Sequence, residues 1–175
     1  MTYYSSLVVV LVGLKIALVI LQRAGELVLA NRNTQKLKAR GGVEIGAQHY
    51  RFIVLLHMAW LMAVLWLMPA PLVIYWGWVV IFLLLQAARV WVIASLGPYW
   101  TTRIISLPDV PLVKRGPYRF VRHPNYLVVA GEILALPLAF GEIWVAIVFS
   151  IANAAVLTWR IRQEETGLVT RRDLS

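Results

Sequence analysis

LVIYWGWVVIFLLLQAARVWVIASL, residues 72 to 96, carries a single charged side chain, Arg89. A helix of about 20 mainly apolar residues crosses the hydrocarbon core of a bilayer, so this stretch predicts a membrane span. Outward from it, four further apolar stretches lie at about 4 to 29, 50 to 68, 126 to 140 and 142 to 160. The last two are short, as expected of a tilted or bent helical hairpin. With 61% hydrophobic residues, 14% charged and eight Trp, the composition departs from that of any ordinary soluble domain. The expected fold class is an all-α integral membrane protein of about five transmembrane helices. Residues 1–175 read as one membrane domain: three N-terminal spans to residue 96, a loop over 97–125, and a hairpin with a tail over 126–175.

The formal charge of +9 would suit a nucleic-acid partner, but its distribution argues against one. Arg32, Lys36, Lys38, Arg40 and Arg51 fall in the first connection, and Arg103, Lys114, Arg115, Arg119 and Arg122 in the third. Arg160, Arg162, Arg171 and Arg172 lie toward the C-terminus, whereas the turns near 68 to 72 and 140 to 142 carry no Lys or Arg. This is the positive-inside pattern. It predicts a multi-pass protein with its N-terminus outside and its basic loops and C-terminus in the cytoplasm. Cysteine is absent, which excludes disulfides and thiolate metal sites. The apolar N-terminus has no basic leader and no small-residue cleavage site, so it reads as a retained first helix.

Several polar residues interrupt the spans. Lys15, Gln22, Arg23 and Glu26 do so in the first. Arg23 and Glu26, three apart, can pair on one helix face, either as a snorkelling cluster or in a functional role. The basic loop ANRNTQKLKARGGVEIGAQHY, with stops at Gly41, Gly42 and Gly46, predicts a short amphipathic piece at the interface. His49 and His57 read as packed residues. Arg89 is placed to snorkel. Pro108, Pro111, Pro117 and Pro124 forbid a continuous helix over 101–125, which leaves a structured loop of the length that usually carries function.

That loop ends in RGPYRFVRHPNY, Arg115 to Tyr126. Arginine keeps its charge and offers a donor fork for carboxylates, phosphates or enolates. Arg115 and Arg119 could equally serve topology alone. Arg122 and His123 directly precede Pro124 and Tyr126, where the chain turns back into the membrane, and this favours a role at the mouth of a cavity. Near the C-terminus, Arg160 and Glu164 are four apart and face the same way on a helix. The neighbouring Glu165 adds a second carboxylate, which calls for a cation such as Arg122 or a positively charged cofactor. No P-loop, no GxGxxG after a strand, no HExxH zinc pattern and no GxSxG elbow is present, and no metal site is expected.

GPYRFVRHPNY followed by a hairpin and then RIRQEE resembles the signature of the isoprenylcysteine carboxyl methyltransferase family of integral membrane enzymes, over roughly residues 113 to 168. The rest, including LGPYWTTRII, is similar to a smaller bacterial branch whose members include methyltransferases for alkylpyrone or phenolic lipid hydroxyls. The resemblance implies S-adenosylmethionine, held in a cytoplasmic-side pocket formed by the C-terminal half, with a lipid-like acceptor arriving from the bilayer. It carries over Tyr118, Arg122, His123, Pro124, Tyr126, Glu164 and Glu165 as site residues. Of these, Tyr118, His123, Pro124, Tyr126, Glu164 and Glu165 would bind cofactor, and Arg122, His123 and Glu165 would be catalytic. Val128 stands where family members often carry Gly.

Methyl transfer needs alignment and exclusion of water above all. Arg122 would orient an anionic acceptor oxygen, and His123 could act as base for a less acidic hydroxyl. The expected activity is therefore O-methylation of a carboxylate or acidic hydroxyl on a prenylcysteine-type, alkylpyrone or phenolic lipid. The alternatives are a phospholipid or amine N-methyltransferase, a sterol-type reductase with a similar C-terminal fold, and a non-enzymatic scaffold with a basic face for anionic lipid.

Overall fold

A computed structural model describes residues 2–69, 71–108 and 110–167, with residues 2–12, 14–16 and 49 described in backbone only. Lys15, the side chain of His49, and the tail residues Arg171 and Arg172 therefore lie outside the described side chains.

The first helix, α1, runs Thr2–Ala39. Its 38 residues extend roughly 57 Å at about 1.5 Å per residue, nearly twice the roughly 30 Å hydrocarbon core. The expected interfacial loop from residue 30 is thus corrected, because residues 30–39 continue α1. The stretch ANRNTQKLKA has no Gly or Pro to stop it, and Ala30, Asn33, Thr34 and Leu37 present one buried face at helical spacing. Asn33 Nδ2 donates to the carbonyls of Gly97 (3.1 Å) and Trp100 (2.8 Å), anchoring this extension to the far end of the third helix. The helix ends where Gly41 takes a positive φ of 87°.

Strand β1 (Val43–Ile45) follows, then α2 (Ala47–Trp66) and α3 (Trp76–Leu96). Strand β2 (Ile104–Ser106) pairs antiparallel with β1, Glu44 opposite Ile105. An all-α reading misses this sheet, because three-residue strands leave no periodicity to detect. A 3₁₀ turn at Gly116–Arg119 leads to α4 (Pro124–Ala139), which has Pro at its first position, where no amide is needed. Helix α5 (Ile143–Gly167) is the last described element.

Among the described residues, two helical stretches, Trp76–Tyr99 and Ile143–Thr166, are long and apolar enough to cross a membrane; Tyr50–Trp66 and Pro124–Ala139 are shorter apolar helices. Helix α4 is central. Val129, Ile133 and Leu136 pack with Trp60 and Val64 of α2, Phe82 of α3 and Val145 of α5. Gly131 sits against the Leu85 side chain, where a Cβ would stand 2.9 Å from its methyls. This close approach joins α4 to α3, in keeping with small residues at membrane helix contacts. Trp66, Trp76 and Trp144, at the end of α2 and the starts of α3 and α5, are highly exposed, as an aromatic belt requires.

Arg89 does not snorkel, and this expectation is also corrected. It is buried and bridges Glu26 of α1 (Nη2 to Oε2, 2.6 Å) and Glu132 of α4 (Nη1 to Oε2, 3.2 Å). Arg23 closes the ring on the same two carboxylates at 2.9 and 2.8 Å. Gln22 and Gln86 complete it, donating to Glu26 (2.9 Å) and Glu132 (2.8 Å). Two arginines and two glutamates give no formal net charge, and mutual pairing is what lets such groups persist inside a membrane protein. His57, on α2, contacts the Ile53 carbonyl through Nδ1 at 2.8 Å, a packed residue as expected.

Candidate functional site

A cleft of about 370 Å³ opens beside the basic end of the helices, between the α1 extension, β2, the 108–125 loop and the facing ends of α4 and α5. One part of its wall is apolar, with Leu37, Leu96, Ile104, Leu107 and Val113; the rest is polar, with Tyr118, Arg122, His123, Asn125, Tyr126, Arg160 and Glu164.

The polar wall is set by three local devices. Gly116 adopts φ 57°, and a Cβ there would collide with Ser95 and crowd Trp91 of α3. Only glycine lets the 3₁₀ turn sit this close to α3, while Arg115 Nε donates to the Ser95 carbonyl at 2.6 Å. The turn holds Tyr118 at the cleft, where burial first, and the Glu164 charge second, push its phenol well above the ordinary range. Pro124 then starts α4, so that His123 and Tyr126 stack with ring centroids 5.4 Å apart and planes 18° from parallel.

Tyr126 links the two helices. Its hydroxyl donates to Glu164 Oε2 at 2.5 Å and accepts from Arg160 Nε at 2.8 Å, while Arg160 Nη2 donates to the Thr102 carbonyl at 2.8 Å. Arg160 and Glu164 thus meet through the phenol of α4, in place of the direct surface pair that their spacing suggested. His123 Nδ1 lies 3.6 Å from Glu164 Oε2, and its Nε2 lies 3.8 Å from Glu165 Oε1. Both distances exceed a hydrogen bond. His123 Nε2 and Asn125 Oδ1 are buried without a hydrogen-bond partner among the described residues. Buried polar atoms are normally satisfied, so two orphans on one cleft wall mark groups that a ligand would satisfy.

The sequence-predicted residues separate by position. Tyr118, Arg122, His123, Tyr126 and Glu164 line the cleft together. Pro124 is buried beneath them as the first residue of α4. Glu165 sits at the rim, with Arg122 Nη1 at 4.0 Å and the Arg122 side chain 80% exposed. Val128 is buried within α4 rather than on the cleft wall. Asn125 and Arg103 were missed. Asn125 occupies the variable position inside RHPNY, and Arg103 reaches the cleft only because β2 pairs with β1.

Residues 78–170 match the isoprenylcysteine carboxyl methyltransferase family. The chain belongs to this family of membrane methyltransferases. The match spans α3 to α5 and therefore both halves of the polar wall. The chain is also 41% identical over 159 residues to the uncharacterized protein YpbQ of Bacillus subtilis, covering 89% of this chain and 95% of that one. An uncharacterized protein of Haemophilus influenzae is 32% identical over 79 residues, 45% of this chain and 46% of its own. No solved structure matches.

Proposed function

We propose that this methyltransferase uses S-adenosylmethionine to O-methylate a lipid-like acceptor, a carboxylate or an acidic hydroxyl of the prenylcysteine, alkylpyrone or phenol type. The observation that carries the reading is the pair of orphaned atoms, His123 Nε2 and Asn125 Oδ1, on the wall that also holds Glu164. A ligand bearing a cationic centre and N–H and O–H donors fits these acceptors, and family members generally use this cofactor. When bound, the cofactor supplies an electrophilic methyl group.

The residues of the chain do the rest. Glu164, held by the Tyr126 hydroxyl, faces the cleft as a fixed anion and favours a cation there. The rigid stack of His123 on Tyr126 holds Nε2 in place to bind ligand or accept a proton from a hydroxyl acceptor. Arg122, exposed at the rim, is positioned to orient an anionic acceptor oxygen, with Glu165 beside it. The apolar wall limits water, which strengthens these interactions. The cytoplasmic assignment of this face rests on its charge. Lys36, Lys38, Lys114 and Arg119 surround the cleft end, while the exposed Trp66, Trp76 and Trp144 mark the opposite one.

Calorimetry with S-adenosylhomocysteine on detergent-purified protein tests the reading. Wild type should bind, and Glu164→Ala and His123→Ala should each weaken binding by about tenfold or more, the cost of one charge-assisted contact. No binding by folded wild type would remove the cofactor from the proposal.

A further inference from the structure

One side chain of the cleft wall, Arg103, is braced by residues that lie ahead of the family match. Glu44 lies on β1, ahead of residue 78, where the family match begins. Its carboxylate accepts from Arg103 Nη1 at 2.6 Å and from Lys38 Nζ at 2.5 Å. The Arg103 guanidinium is also stacked over the Tyr50 ring, 4.7 Å from its centroid, and the Tyr50 hydroxyl is bonded to Thr102 Oγ1 at 3.2 Å. One nitrogen and one face of the guanidinium are therefore committed. Its remaining donors have no protein partner among the described residues, and the side chain lines the cleft.

Lys38, Glu44 and Arg103 together bring two positive charges and one negative, a net +1, and of the three Arg103 is the one that lines the cleft. The other cations there are less suited to receive an anion. Arg160 already spends Nε and Nη2 on Tyr126 and Thr102. The Arg122 side chain is 80% exposed and stands near Glu165, and Lys114 is an exposed point charge on the loop. A guanidinium held at one nitrogen and one face loses little freedom when a free edge binds a planar carboxylate.

We propose that Arg103 anchors the carboxylate at the amino-acid end of the bound cofactor, and that Glu44 is the residue that positions it. The assignment rests on the S-adenosylmethionine reading above. It gives the segment before the family match a part in ligand binding, exerted through Arg103 and the β1–β2 pairing.

The test compares two probes on the detergent-purified full chain by calorimetry: S-adenosylhomocysteine and its decarboxylated analogue. Wild type should prefer the carboxylate-bearing ligand by about tenfold or more, the worth of one charge-assisted pair. Arg103→Ala should erase the preference by weakening only that ligand. Glu44→Gln should shrink it, and Arg103→Lys should restore part of it. A merely structural role for the staple would weaken both ligands alike and leave their ratio intact. That result, or equal binding of the two by wild type, overturns the assignment alone. Binding of neither ligand by folded wild type overturns the cofactor reading along with it.

Discussion

Glu142 shows how far a single side chain can depart from its surface habits. It lies in the turn between α4 and α5, its backbone carbonyl accepts from the Ala146 amide at 3.0 Å, and it is only 5% exposed. Both carboxyl oxygens are buried without a hydrogen-bond partner among the described residues. Burial without a cation pushes its pKa up to about 7 from the ordinary 4.5. The folded state therefore holds the proton more tightly than the unfolded state. The stabilisation is complete below the unfolded value and is lost as the pH rises through the folded one. Wild-type thermal stability in detergent should fall between pH ~5 and ~8, and Glu142→Gln should flatten that fall, since an amide has no proton to lose. Equal slopes for the two proteins would show that the carboxyl is already ionised in the fold.

At the scale of elements, the ring of Arg23, Glu26, Arg89 and Glu132 does what apolar packing cannot. Burying Leu or Val against another helix gains little when the alternative is lipid, so α1 is held to α3 and α4 by charge and hydrogen bonding. Arg89→Ala would leave Glu26 and Glu132 sharing Arg23 alone and should cost about 3–5 kcal/mol, as expected for an uncompensated buried charge. Arg89→Met combined with Glu132→Gln should be milder, because it removes a cation and an anion together; denaturant unfolding in detergent measures both. A double variant no more stable than the single one would show that the ring acts by packing. This ring was only half legible in the sequence. Arg23 and Glu26 are three apart and announce their pairing, but Arg89 and Glu132 lie 43 residues apart and meet only through tertiary packing. The same limit governs the site. The RHPNY and RIRQEE motifs were visible, being local and resembling a known family. The Tyr126 bridge across 38 and 34 residues and the β1–β2 pairing depend on contacts that no spacing rule contains.

Over the whole molecule, the two ends of the bundle differ in chemistry. The cleft, the basic extension of α1 and the β1–β2 pair crowd one end, and the exposed Trp66, Trp76 and Trp144 with the α4–α5 turn mark the other. The division follows from what each boundary demands. A cofactor that is charged and water-soluble has to enter from an aqueous face, whereas a lipid-like acceptor is already in the bilayer, so a site serving both belongs at one membrane surface and not at mid-depth. The positive-inside rule predicts a cytoplasmic basic end, the compartment where the proposed cofactor would be available. A chain without cysteine allows a clean test. Gln35→Cys, on the exposed side of the α1 extension, and Val73→Cys, in the opposite connection, each introduce one thiol. In intact cells a membrane-impermeant maleimide should label the Val73 variant and spare the Gln35 variant until the membrane is opened. The reverse pattern would invert the protein and place the cleft outside. It would thereby remove the cytoplasmic cofactor supply on which the proposed methyl transfer depends.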